Sequence, residues 1–190
     1  MRAHFRSVLP VLLSLAPLGA GTPDFNPLLS VAQATWPEKQ HIGVVCSYAA
    51  SRDEISALAA SAAPGSRITV VDASTASALN SAMQVLEKRK ADYLVMLSGD
   101  PLYFEGGFQA TQLVRGLAQR GIPSVGTSPA GVKQGAVFAI GERTGHQLLV
   151  TSQLRGTVSV ILPARTAAFR GDTRSYTTGR GVEVDVLAAP

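Results

Sequence analysis

The side chains with chemical potential fall in four short polar stretches, each directly after an apolar, β-rich run: Ser47 with Tyr48, Asp72 to Thr75, Ser98 to Asp100, and Thr127 with Ser128. Hydroxyls and carboxylates of this kind can hold a polar solute, and helices that begin beside them aim free backbone N–H groups at the same space. Ser, Thr and Asp are also the commonest helix caps, so the convergence of the stretches carries the argument, not any one of them. Catalytic patterns are sparse by comparison. The three histidines stand at positions 4, 41 and 146, and none can be joined to a nucleophile and an acid as a triad. His41 precedes the first strand, and His146 is expected on a partly exposed helix without metal-ligand spacing. Cys46 has no basic neighbour in sequence to activate it and reads as a packed strand thiol. Ser98-Gly99-Asp100 and Glu105-Gly106-Gly107 lack the glycine spacing and the lysine of a phosphate-binding loop. No enzyme, metal or cofactor is expected.

Elements that place these stretches together alternate along the chain. Strand patterns cover Ile42 to Cys46, Arg67 to Asp72, Tyr93 to Leu97, Ile122 to Gly126 and Ala136 to Gly141. Helical spacing covers Asp53 to Ala63, a segment after Ser74 or Thr75 with Leu79, Met83 and Leu86 on one face, Phe108 to Gln119, and Thr144 to Leu154. Beyond Pro163 the pattern degrades into a polar tail in which Val182 to Leu187 alternates as a possible edge strand. Alternating strands and helices predict an α/β fold: a flavodoxin-like, doubly wound parallel sheet of about five strands in the order 2-1-3-4-5. Strands one, three and four should be central because their runs are the most continuously apolar. In such sheets the carboxyl ends of the strands form the ligand crevice.

Composition and the N-terminus bound the setting. The 190 residues are 46% hydrophobic and 16% charged, enough for one core and short for two ordinary domains. Arg2 and Arg6 precede an apolar run from Ser7 to Leu18, which reads as a secretory leader and is shorter than the ~20 residues of a bilayer span. Two small-residue cleavage sites compete, Gly19-Ala20-Gly21 and Ala32-Gln33-Ala34, and the second is favoured. The expected organisation is a leader over residues 1–34, one α/β lobe over 35–163 and an irregular tail over 164–190. A single cysteine allows no internal disulfide in the periplasm. The net charge of +4 is modest, and Lys88-Arg89-Lys90 suits the end of a helix, where positive charge meets the macrodipole. Nucleic acid is not an expected partner.

The ordered segments Ile42-Gly43-Val44-Val45, Ala91 to Met96, Gly121 to Gly126 and Gly135 to Gly141 resemble the second lobe of ABC-transporter substrate-binding proteins. More narrowly, they are similar to the tryptophan- and tyrosine-uptake type, over about His41 to Pro163. The resemblance implies a single lobe of a periplasmic-binding-protein fold, with a small solute held by Ser47, Tyr48, Ser98, Asp100, Thr127 and Ser128. Asp100 and Ser128 are expected at the crevice rim. Two departures matter: Pro129, Ala130 and Gly131, followed by Lys133, stand where the family often carries acidic residues, and the chain has length for one lobe where the family uses two. Two functions follow as expectations. One is a periplasmic solute-binding component of an ABC uptake system; the other is a single-lobe accessory or sensory module that docks on a membrane permease, receptor or sensor protein. A homodimer would supply the missing wall.

Overall fold

The computed structural model describes residues 23–143, 146–151, 157–159 and 175–188. Its first strand, β1 (His41–Cys46), is β-branched and buried from Ile42 onward. Alternation along it sends Ile42, Val44 and Cys46 to one face of the sheet and Val45 to the other. The following elements are α2 (Tyr48–Ser61), β2 (Arg67–Asp72), α3 (Leu79–Lys88), β3 (Tyr93–Val95), α4 (Phe108–Ala118), β4 (Ser124–Gly126), α5 (Pro129–Gln134) and β5 (Phe138–Arg143), with α1 (Asn26–Thr35) ahead of them. Three strands pair antiparallel or close the chain: β6 (His146–Thr151), β7 (Thr157–Ser159) and β8 (Ser175–Thr177); the last strand is β9 (Glu183–Ala188).

One sheet holds all nine described strands, in the order β7-β6-β5-β4-β3-β1-β2-β9-β8. The six from β5 to β9 along this order are mutually parallel, so the fold is the flavodoxin-like single lobe, with the expected 2-1-3-4-5 order at its heart. Helices cover both faces. Phe25, Leu28, Ile55 and Leu58 from α1 and α2 and the residue before α1 join one core; Met83, Leu86, Leu113 and Leu117 from α3 and α4 join the other. Burial on both faces explains why the parallel strands read as apolar runs.

Two expectations change. The helix expected over Thr144 to Leu154 is, within its described part, strand β6, paired antiparallel with β5 from Phe138↔Thr151 to Arg143↔His146. The free edge of β5 offers unpaired N–H and C=O groups, and satisfying them outweighs a short apolar period that fits either structure. The tail strand is not an edge: β9 pairs with β2 in parallel and is itself covered by β8. Its Val184 and Val186 enter the core, which accounts for the alternation seen in the sequence.

At the N-terminus the structure adds a helix that the sequence pattern does not separate from the expected leader. Residues 26–35 form a core helix, and the leader boundary set at residue 34 falls inside it. Phe25, Leu28, Leu29 and Ala32 are all buried, and Trp36 stacks at a tilt against Tyr93 and Phe138, with ring centroids 5.8 and 5.5 Å away. Asp24 starts the helix, its Oδ1 accepting from the Asn26 backbone N–H at 3.0 Å. Cleavage after Ala34 would strip this face from the core, whereas the site at Gly19-Ala20-Gly21 leaves it intact. Truncating a buried leucine costs about 2–5 kcal/mol, so Leu28→Ala should lower the stability of the purified protein by that amount in urea unfolding. A Leu28→Ala protein as stable as the parent would mean that α1 is not part of the folded core.

Candidate functional site

Parallel pairing of β1, β3 and β4 brings their carboxyl ends side by side, so the loops that follow meet at one end of the sheet. What links them is a set of buried carboxylates. Asp100, 1% exposed, has both oxygens engaged: Oδ2 accepts from the Ser47 N–H at 2.7 Å and the Ser51 hydroxyl at 2.8 Å, and Oδ1 from the N–H groups of Leu102 and Tyr103 at 2.9 and 2.6 Å. The loop after β3 is thereby clipped to the start of α2.

Glu105 repeats the device on the other side. Its Oε1 accepts from the Thr127 N–H and, at 2.7 Å, from the Thr127 hydroxyl; its Oε2 accepts from the Ser128 N–H at 2.8 Å and from the Ser128 hydroxyl. Glycines make the room. A Cβ on Gly126 would lie 3.3 Å from Glu105 Oε1, and one on Gly131 would lie 3.3 Å from Oε2. Ser128 also caps α5, accepting from the Ala130 N–H at 3.3 Å. Asp72 completes the row by accepting from the Tyr48 N–H at 3.0 Å.

A fourth carboxyl comes from within α2. Glu54 accepts from the backbone N–H groups of Ser98 and Gly99, and it approaches Gly99 so closely that a Cβ there would lie 2.1 Å from Oε1. Its Oε2 is buried and has no hydrogen-bond partner among the described residues. Burial above all, and then the neighbouring charges of Asp100 and Glu105, push the Glu54 carboxyl above its usual range against the pull of the two N–H groups.

The six sequence-derived residues therefore lie at one end of the sheet in unequal roles. Ser47, Asp100, Thr127 and Ser128 are brought together, but chiefly into contact with internal carboxylates. Asp100 is not at the rim, because its oxygens are needed by four donors in the interior; removing it would strand those donors. Tyr48 lies in the first turn of α2, half-buried, with the Arg52 guanidinium 5.7 Å above its ring. Ser98 is exposed. Two aromatic side chains are exposed on the loop after β3 and the start of α4: Phe104 at 42% and Phe108 at 72%.

Ser51, Glu54 and Glu105 were not anticipated. Glu105-Gly106-Gly107 stands out in the sequence only as an incomplete phosphate-loop pattern, and the room that Gly126 and Gly131 make for the Glu105 carboxylate lies distant in sequence. Cys46 is fully buried, and burial followed by the Asp100 and Asp72 charges pushes its thiol well up, leaving it unreactive. Among the described residues no group of three His, Cys, Asp or Glu side chains could hold a metal ion. No protein-family model matches the sequence, and no curated protein does.

Glu54 generates a pH prediction. Its folded value lies above the unfolded one, so the folded state binds the extra proton and the associated stability is complete below about pH 4.5. That contribution is lost as pH rises through the raised folded value. The stability of the parent relative to Glu54→Gln, measured by urea unfolding from pH 4 to 7, should therefore decline as pH increases. A difference that is flat or rises with pH would contradict the burial of this carboxyl.

Proposed function

We propose that this protein is a periplasmic solute-binding component of an uptake system, presenting the carboxyl end of a single α/β lobe to a small solute and to a second wall supplied by another chain. The observation that supports the reading best is the meeting of three strand-to-helix loops at one end of a parallel sheet, with Phe104 and Phe108 exposed beside it. Buried carboxylates hold the loops, which leaves Ser98, Tyr48, the half-buried Thr127 and the two phenylalanines as the groups available to a solute. That set favours an amphipathic molecule with a flat apolar part, in keeping with the resemblance to tryptophan- and tyrosine-uptake proteins. A lone lobe encloses little of such a molecule, whereas effective sites bury about 70–90% of their ligand, so unaided affinity is weak.

Export is part of the proposal. The leader ends before α1, and among the described residues no helix is long and apolar enough to cross a membrane. The exposure of Phe108 also favours a second reading, in which the same face docks on a permease, receptor or sensor protein as an accessory module.

Calorimetric titration with a panel of amino acids and other small amphipathic solutes tests the first reading. Phe108→Ala should weaken binding about tenfold while leaving the unfolding midpoint unchanged, since a side chain this exposed contributes contact area to a ligand and little to the core. Panel-wide absence of binding, together with Phe108-dependent capture of a membrane protein by crosslinking in cells, would replace solute binding with the docking role.

A further inference from the structure

A second cleft opens at the opposite, amino end of the sheet, between α1 and the close of α2. Its floor is Ile42 and Tyr93, which sit in register on neighbouring strands and face the same core. Leu29 of α1 and Ala62 after α2 form its apolar sides, and Lys39 lies at its mouth. The cleft leaves about 40 Å³ open to water-sized groups. That is room for about three or four non-hydrogen atoms.

Tyr93 is the observation that points to a ligand. It is 4% exposed, lines the cleft, and its hydroxyl has no hydrogen-bond partner among the described residues. The hydroxyl is not among the fully buried unpaired atoms, so it touches open space, and an unpartnered phenol in a cleft lining is free to donate to a bound group. Burial pushes the phenol up, with the Asp92 charge adding to the effect, so the hydroxyl keeps its proton and is a donor at neutral pH.

The charge around the cleft selects the partner. Its lining contains an ammonium, Lys39, and no carboxylate. Of the acids next in sequence to lining residues, Asp92 accepts from the Gln40 and His41 N–H groups at 3.0 and 2.9 Å, and Glu38, between Pro37 and Lys39, is exposed. A ligand must then be short, bear an acceptor for a phenol and a cation, and present an apolar end to Leu29 and Ile42.

We propose that this cleft binds a small aliphatic monocarboxylate, with the Tyr93 hydroxyl and the Lys39 ammonium holding its carboxylate. The site is separate from the carboxyl-end face and does not depend on the uptake role.

The test is a titration of the purified protein with sodium acetate, whose four non-hydrogen atoms match the cleft, followed by NMR shifts of the amides lining it. Saturable shifts are expected in the millimolar range, with no competition from propylammonium. Tyr93→Phe, which keeps the ring against Trp36, should weaken binding about tenfold. Lys39→Gln should weaken it as well, and Phe108→Ala should leave it unchanged, which separates this site from the solute face. A folded protein that shows no saturable shift holds a water-filled cleft only, and the proposal fails. Equal affinity in Tyr93→Phe, or equal binding of propylammonium, would overturn it too.

Discussion

Buried carboxylates that accept backbone N–H groups are the constraint on which the carboxyl end of this sheet depends. A chain turning from a strand into a helix leaves N–H groups without partners, and three such turns meet here. Two acids from a single loop, Asp100 and Glu105, gather the N–H groups of the loops on either side as well as of their own. Burying charge is costly, and the cost is offset where the donors are numerous and charge-assisted, as both acids achieve through four hydrogen bonds apiece. The loops are thus fixed by their own polar residues, and what remains for recognition is an aromatic and hydroxyl surface.

This division assigns different work to the two ends of the sheet. The carboxyl end is an open face on which Asp100 and Glu105 have all their oxygens engaged, while Glu54 keeps one buried oxygen without a partner among the described residues. The amino end holds a narrow cleft lined by Tyr93, whose hydroxyl has no hydrogen-bond partner among the described residues. One strand joins them, since Tyr93 begins β3 and the loop carrying Asp100 and Glu105 follows it.

Much of the fold was legible because the parallel strands are buried on both faces, which writes them as uninterrupted apolar runs: Ile42 to Cys46 and Tyr93 to Leu97 could be little else. The antiparallel additions were not. His146 to Thr151 carries an apolar pattern compatible with helix or strand, and it is the waiting edge of β5, a tertiary partner, that decides between them. The boundary between the expected leader and α1 was hard to read for a related reason, since Leu28, Leu29 and Ala32 look alike whether they face a membrane or a protein core. At the site, sequence located the loops without revealing which way their side chains turn. Ser47, Asp100, Thr127 and Ser128 were found by position, while Glu54 and Glu105, which organise them, act through contacts distant in sequence.

If the carboxylate clips hold the loops, the N–H groups they bind must be closed to solvent except when the domain opens. Native-state amide hydrogen exchange at Ser47, Tyr103, Thr127 and Ser128 measures this directly. Protection approaching that of Val44 and Val70 in the central strands is the predicted result. Exchange at the rate of an unstructured loop at these four positions would show that the carboxylates do not lock the face, and the account would fall.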